Sequence, residues 1–574
     1  MTGSLPPGLL LMLGALVLPL LRGRLQAAWT VLVPVLGLAH LLTLPEGSWG
    51  HLELFDYQLT LVRVDRLSLV FGIIFHLAAV LAAVYAVHVR DTVQHAAGMV
   101  YAGSAVAAVF AGDLVTLFVY WEVTAISSVF LIWASRGERA YRAGLRYLVI
   151  QVGSGVLLLS GTLLHFLDTR SLAFDQLIGD DGKLASASLG VVLIFLAFGI
   201  KCAFPLLHNW LQDAYPEATV TGTVFLSAFT TKLAIYALAR GFPGTEVLLV
   251  LGVVMTLFPV FFAVIENDLR RVLAYSLNNQ LGFMVVGIGV GTELALNGTV
   301  AHAFCHILYK ALLFMSMGAV LYRAGTIKAS ELGGLYKSMP FTTVCCLVGA
   351  ASISAFPLFS GFVSKSLILT AVAEHHYVWI WLGLVIASAG VMEHSGIKIP
   401  FFAFFAHDSG IRCKEAPWNM LIAMGVTAAL CIFLGCFPGV LYGLLPYAVD
   451  YQPYTGGHVL TQLQLLLFAT LAFGVLWRTR RYPAETPSVN LDFDWTYRRL
   501  LPGLVDSLAL AGRRAWAPWK ASFARLAAGL AAAVRRWAGP GGLFARTWST
   551  NDVATVIVAV LAGYLLLVLW FGTG

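Results

Sequence analysis

One stretch constrains this chain more than any other: SLGVVLIFLAFGIKCAFPLLHNWLQDAYPEA, residues 188–218. It is apolar enough to lie in a bilayer, yet Lys201 stands in its middle, with Pro205, His208 and Asp213 following. A cation in hydrocarbon is costly, and proline removes a backbone donor and clashes with the turn before it. A membrane segment that keeps both needs a water-lined cavity or a broken helix at that point. Glu122 poses the same problem inside LVTLFVYWEVTAISSVFLIWA, as do Lys232, His302, His306, Lys310 and Lys365 in other apolar segments. The pattern is that of a membrane protein with an ionisable track through its middle.

Composition supports the membrane reading. Of 574 residues, 59% are hydrophobic and 11% charged, whereas a soluble domain carries about 25% charged residues. With about 20 residues per crossing, the apolar segments predict an all-α polytopic fold of about 14 to 16 transmembrane helices. The 55 glycines and 36 phenylalanines suit packed membrane helices. The net charge of +7 sits in short connections and one long tail, which argues for orientation and lipid contact, not nucleic acid. The seven cysteines show no metal-ligand spacing, and adjacent Cys345 and Cys346 read as small packing residues. The opening LPPGLLLMLGALVLPLL, with no basic leader, reads as a retained span and not a signal peptide.

In order, spans are expected at about 5–21, 27–44, 64–88, 95–111, 114–134, 143–165, 188–212, 220–240, 246–265, 271–290 and 297–322. Residues 49–63 alternate with period two and predict a short hairpin. The segment 338–375, interrupted by Pro357 and Gly361, reads as one broken span; further spans fall at about 378–404, 418–445, 458–477 and 552–571. With the N-terminus outside, the loops at 22–26, 89–94, 135–142, 213–219, 266–271, 323–337, 405–417 and 478–550 become cytoplasmic. They hold most of the loop arginines and lysines, as the positive-inside rule requires. Within the last of them, two stretches, 496–516 and 519–538, mix apolar residues with Arg513, Arg514, Lys520, Arg525, Arg535 and Arg536 and are flanked by tryptophans. They read either as helices lying in the membrane interface or as helices packed on a partner subunit.

The ionisable residues fall into a pattern. A buried carboxylate must be paired or protonated, and Lys201 is the natural counter-ion for Glu122. Lysines in poorly solvated surroundings exchange protons more readily than solvated ones; snorkelling to a helix end does not explain Lys201. His302, His306 and Lys310 stand at i, i+4 and i+8, along one side of a helix, as a relay would. Two histidines at this spacing can hold a metal, but no carboxylate ligand accompanies them, so a metal site is not expected. Lys365 follows the expected break, and Glu393, His394 and Lys398 form a last cluster. Asp113, Asp213 and Glu217 fall at span ends, and Glu266, Asp268, Arg270 and Arg271 read as a loop anchor.

These residues sit in VDRLSLVF (64–71), YWE (120–122), KCAFPLLHNWLQDAYPEA (201–218), TKLAIYALAR (231–240), AYSLNNQLGFM (274–284), HAFCHILYKALLF (302–314), ELGGLYKSMP (331–340) and GFVSKSLIL (361–369). In them the chain resembles the antiporter-like family shared by complex I, membrane-bound hydrogenases and Mrp-type sodium/proton antiporters. The resemblance implies two inverted repeats of five helices with broken helices. It also implies a proton-translocation track of Glu122, Lys201, Lys232, His302, His306, Lys310 and Lys365. The implied division is 1–111 N-terminal helices, 112–265 first repeat, 266–404 second repeat, 405–480 C-terminal helices, 481–550 basic segment and 551–574 final helix. Residues 398–424 and NLDFDWTYRR (490–499) look most like the D-type Mrp protein, although the basic segment is longer than that pattern.

The expected role is that of a proton-translocating subunit of a monovalent-cation (Na+)/H+ antiporter complex in a bacterial inner membrane, with other membrane subunits, protons, sodium and lipid as partners. The alternatives are a subunit of a complex I-like or hydrogenase enzyme, or the membrane part of an inorganic-carbon uptake system. No nucleotide, flavin, haem or iron–sulfur motif is seen, so no cofactor is expected and any redox step lies in another chain.

Overall fold

The computed structural model describes residues 5–54, 57–179, 181–487, 490 and 492–571. Residues 55 and 56 of the expected hairpin and Leu491 of the NLDFDWTYRR match lie outside the described residues. The chain forms two compact units, Met1–Asn490 and Leu491–Gly574.

The first unit opens with α1 (Leu9–Val17) and α2 (Arg24–Leu41), followed by an antiparallel hairpin of β1 (Gly47–Leu54) and β2 (Tyr57–Val64), as the alternation predicts. Next come α3 (Arg66–Ala86), α4 (Thr92–Val109), α5 (Leu114–Trp133) and α6 (Glu138–Thr169). The starts of α3, α4 and α5 are each fixed by an aspartate whose side chain accepts from the first-turn amides: Asp65, Asp91 and Asp113. Then follow α7 (Leu189–Cys202), α8 (Asn209–Ala214), α9 (Gly222–Ala228), α10 (Thr230–Gly241), α11 (Val247–Ile265) and α12 (Leu269–Val290). The unit closes with α13 (Glu293–Ala324), α14 (Pro340–Ile353), α15 (Ser360–Glu374), α16 (Val378–Val391), α17 (Trp418–Cys436), α18 (Pro438–Tyr442) and α19 (Gly456–Arg478).

The second unit contains α20 (Leu501–Ala538) and α21 (Thr550–Phe571). Among the described residues of both units, eleven helices are long and apolar enough to cross a membrane, and Leu9–Leu20, Leu189–Cys202 and Pro340–Ile353 are shorter apolar helices. Helix α12 is long enough but polar within, because Ser276, Asn278, Asn279 and Gln280 all point into the bundle and are fully buried.

Two of the broken helices share one device. Ala203-Phe204-Pro205-Leu206 ends α7, and the identical tetrapeptide Ala355-Phe356-Pro357-Leu358 ends α14. In both, the alanine and leucine take left-handed backbone angles: φ is 61° and 70° in the first, 57° and 73° in the second. In both, the phenylalanine amide bonds the carbonyl five residues back, at 3.0 Å to Gly199 and 2.9 Å to Ala351. A third break is absent from the sequence reading. Residues 220–240 divide at Phe229 into α9 and α10 without a proline, and the Tyr101 hydroxyl accepts the freed Thr230 amide at 3.0 Å.

The connecting loops sort onto two faces. On one, Gln26 donates to Thr92 (2.8 Å), Arg136 pairs with Asp91 (3.2 Å) and Arg146 with Asp213 (2.7 Å). On the same face Arg270 donates to the carbonyls of Pro216 and Ala218 (2.9 Å each), and Ser409 to Gly333 (2.9 Å). These are the loops expected together from their basic residues, and their side is the basic face. On the other, Arg63 pairs with Asp175 (2.6 Å), Arg240 with Asp65 (2.8 Å), and the Glu246 amide bonds Gly182 (3.1 Å). Helix α7 enters from this opposite face, whereas α14 enters from the basic face, where the Phe341 amide donates to Glu415 (2.9 Å). The two tetrapeptide breaks therefore lie in half-bundles of inverted direction.

Other expectations need correction. Residues 418–445 do not continue as one span, because Pro438 starts a separate short helix after Cys436. Residues 378–404 are not a regular helix: α16 passes at Met392–Lys398 into a π-helical turn. The stretches 496–516 and 519–538 are not two helices but lie largely in the single α20, which runs through Pro518. Proline forfeits one hydrogen bond there without ending the helix.

Candidate functional site

Lys201 occupies the last turn of α7, with no exposed surface. Its ammonium donates to the carbonyl of Trp121 at 2.6 Å and lies 4.3 Å from the centre of that indole. The break directly behind it is held open by polar neighbours: Trp210 donates to the Ile200 carbonyl (3.0 Å) and Asn278 to Ala203 (3.2 Å). Ser154 receives the Trp121 indole N–H at 3.0 Å and donates to Ala197 at 2.8 Å.

The expected direct Glu122–Lys201 ion pair is not formed. Among the described residues no carboxylate contacts Lys201, and Glu122 Oε1 is buried with no hydrogen-bond donor. The Glu122 side chain instead lies across α6, where Gly155 makes room: a Cβ there would collide with the carboxylate. The two charges remain neighbours, and Glu122 is the charged group whose field acts on Lys201. The lysine prefers the backbone because the carbonyl next to the carboxylate is the nearer strong acceptor for an ammonium held at the helix end.

Lys232, also fully buried, donates to Ser227 at 2.5 Å, a carbonyl close before the break between α9 and α10. His302, His306 and Lys310 line one side of α13, as their spacing predicts. His302 contacts Ser364 through Nδ1 (3.0 Å) and Gln280 through Nε2 (3.2 Å). The Tyr309 hydroxyl donates to the same glutamine oxygen (3.1 Å). His306 has no hydrogen-bond partner on either ring nitrogen among the described residues. Lys310 donates to Ser276 (2.8 Å), Ser276 meets Ser395 (2.7 Å), and Ser395 meets His394 Nδ1 (2.8 Å). Lys365 donates to Ile353 (2.8 Å) above the ring of Phe283 (5.0 Å). Among the described residues, none of these four lysines touches a carboxylate.

Several participants are not evident in the sequence. Gln280, Ser276, Ser364 and Ser395 look like ordinary small or amide residues, and only the density of polar residues in SLNNQ hints at them. Gln151 and Gln212 are buried with neither amide atom partnered among the described residues. Glu485 falls in the expected basic segment, yet it pairs with Lys398 at 3.0 Å, where Lys398 also donates to the backbone carbonyls of Val264 (2.5 Å) and Glu266 (2.7 Å). Burial raises the Glu485 carboxyl above its ordinary range, with Lys398 working against that.

The arrangement defines a class: a polytopic membrane protein whose buried lysines and histidines are distributed over two inverted half-bundles. Comparison with known proteins agrees. The family model described as "NADH:quinone oxidoreductase/Mrp antiporter, TM" matches residues 111–390. The chain is 32% identical over 342 residues to the D-type Na(+)/H(+) antiporter protein of Alkalihalophilus pseudofirmus, covering 56% of this chain and 68% of that protein. It is 28% identical over 421 residues to hydrogenase-4 component B of Escherichia coli, covering 66% of this chain and 63% of that longer protein. A chain of the archaeal membrane-bound sulfane sulfur reductase shares the fold, with a TM-score of 0.71, 22% identity, and coverage of 97% of this chain and all of that one. The chain belongs to the family of antiporter-like membrane subunits common to NADH:quinone oxidoreductases and Mrp antiporters.

Proposed function

We propose that this chain is the proton-translocating subunit of a multisubunit monovalent-cation/H+ antiporter of the Mrp type, its basic face cytoplasmic. The observation that carries the reading is the set of four fully or almost fully buried lysines, Lys201, Lys232, Lys310 and Lys365, resting on carbonyls and hydroxyls with no carboxylate in contact among the described residues. An ammonium without a counter-ion is penalised by burial, so each lysine can hold a proton or release it when its surroundings change slightly. Buried polar atoms on Glu122, Gln151, Gln212 and His306 that lack partners among the described residues support a hydrated route between them, since such groups are normally served by water.

A proton held near Lys201 and Lys232 would pass by His302 and His306 to Lys310 and Lys365, with Glu122 tuning Lys201 through space. Sodium is the cation favoured by the similarity to the D-type Na(+)/H(+) antiporter protein. The second reading is a subunit of a redox-driven complex with the same proton chemistry. It is favoured by the similarity to a hydrogenase component and by the full-length likeness to a chain of a respiratory complex.

The test is cation-dependent pH change in everted vesicles carrying the whole native complex, wild type against Lys201→Ala. A sodium- or potassium-elicited signal lost in the variant supports antiport through Lys201. Proton pumping only on adding a redox substrate moves the chain to the second reading. A cation response intact in Lys201→Ala overturns the track.

A further inference from the structure

After α19 the chain returns to the bundle before leaving the first unit. Residues 482–487 and Asn490 form a strap across the basic face. The Tyr482 hydroxyl donates to Glu393 Oε1 (2.5 Å), and Asn490 donates to Glu266 Oε2 (3.0 Å). Between them Glu485 reaches inward until its side chain is 7% exposed, against a Lys398 side chain that is 0% exposed.

The charges facing this point do not cancel. Glu266 is occupied by the amides of Asn267 and Asp268, by Asn490 and, at 3.9 Å, by Arg271. That leaves Glu393 and Glu485 against the single ammonium of Lys398, one negative charge in excess. Oε2 of Glu393 and Oε2 of Glu485 have no donor among the described residues. Lys398 contacts Glu485 and acts on Glu393 only through space, and two carboxylates around one cation are relieved by one proton.

The cluster also has an inward connection. His394, next in the chain to Glu393, is fully buried, and its Nε2 has no partner among the described residues. Its Nδ1 begins the chain Ser395–Ser276–Lys310, with steps of 2.8, 2.7 and 2.8 Å. The π-helical turn is what brings this about, since Glu393, His394, Ser395 and Lys398 all belong to it.

Resting on the proton-transfer reading above, we propose that Glu485 and Glu393 form a proton-exchange site on the basic face, joined to Lys310 through His394, Ser395 and Ser276. The carboxyl O–H gives its proton to a water between the cluster and His394, that water gives one of its own to the unpartnered His394 Nε2, and the Nδ1 proton passes to Ser395. Ser395 gives its hydroxyl proton to Ser276, and Ser276 gives its own to the neutral Lys310 amine. Each hydroxyl gains one proton and loses one, so the net change is one proton from carboxyl to amine. The strap is then part of the proton path and not a linker to the basic helix.

The experiment uses the native complex in everted vesicles, with sodium or potassium pulses, or the redox-driven signal if that is the one wild type gives. Lys201→Ala, Glu485→Gln and Glu485→Asp are compared across pH. The expected result is a rate lowered at least about tenfold in Glu485→Gln with a displaced pH profile, recovered in Glu485→Asp, as for a positioned proton-transfer group. The infrared carboxyl band that follows turnover should be lost in Glu485→Gln. A Glu485→Gln rate within about twofold of wild type and an unmoved profile, with Lys201→Ala inactive, overturns this site and leaves the general track standing. An active Lys201→Ala overturns both. Should Glu485→Gln fail to assemble, Tyr482→Phe removes only the hydroxyl donated to Glu393; an unchanged pH profile in that variant also overturns the site.

Discussion

The two Ala-Phe-Pro-Leu breaks are the same backbone used with different electrostatics. In the first, Lys201 stands two residues before the tetrapeptide, and its ammonium lies beside the carboxylate-bearing turn of α5. In the second, the residue at the matching place is Ile353, and Lys365 reaches back from α15 to donate to the Ile353 carbonyl. Both ammonium groups are thus tied to the end of a first half-helix, one rooted there and the other delivered from beyond the break. The first has an acid in its field; the second has none in contact among the described residues and is linked through neighbouring Ser364 to His302. A broken helix supplies the opening, and which charge stands nearby decides what can influence the lysine there.

Removing either lysine should have the largest effect. Lys201→Ala and Lys365→Ala are each expected to lower proton flux by about 100-fold or more, the scale of a lost proton-transfer group. Equal loss in both would make the halves equivalent; retained flux in one would show that only the other half conducts. Next comes Gly155→Ala, whose methyl displaces the Glu122 carboxylate. Flux should fall about tenfold, equivalent to about 1.4 kcal/mol in the barrier, with partial recovery on adding Glu122→Asp. In the second half Gly334 faces a carboxylate, that of Asp408, but Asp408 lies in an exposed loop and pairs with Arg412, so an effect on a buried acid would belong to the first half.

Ser364→Ala should slow flux by about two- to tenfold, the worth of one hydrogen bond to His302, and a solvent isotope effect measured alongside would show whether the lost bond carries protons. The smallest effect lies outside the bilayer at Asp65. Burial opposes its charge, but Arg240 and the Ser68 amide prevail and hold its carboxyl below the ordinary 3.8. Its stabilising contribution is therefore present above about 3.8 and lost as pH falls through the lower folded value. A modest melting difference between wild type and Asp65→Asn near neutral pH should disappear in acid. Because Asp65 is partly exposed, a difference of only a few degrees is expected.

Much of this was legible from residue order. The cost of Lys201 in hydrocarbon, next to Pro205, announces the first break, and Pro357 with Gly361 announces the second. The i, i+4, i+8 spacing on α13 places His302, His306 and Lys310 on one face. Other features depend on contacts between distant segments. The break at Phe229 has no proline of its own and rests on Tyr101 from another helix. Glu122 looks like the partner of Lys201 until the room offered by Gly155 is seen. Glu485, near Arg478, Arg480 and Arg481, falls in the segment expected to be basic and cytoplasmic, and nothing local shows that the strap turns inward to Lys398.

The serine steps between Lys310 and His394 carry one more consequence. A hydroxyl donates and accepts equally well, so Ser276 and Ser395 conduct as readily one way as the other. Such a wire has no diode in it. Whatever gives transport its direction must act at its ends, and a complex that extrudes one ion under one gradient should run in reverse when that gradient is inverted.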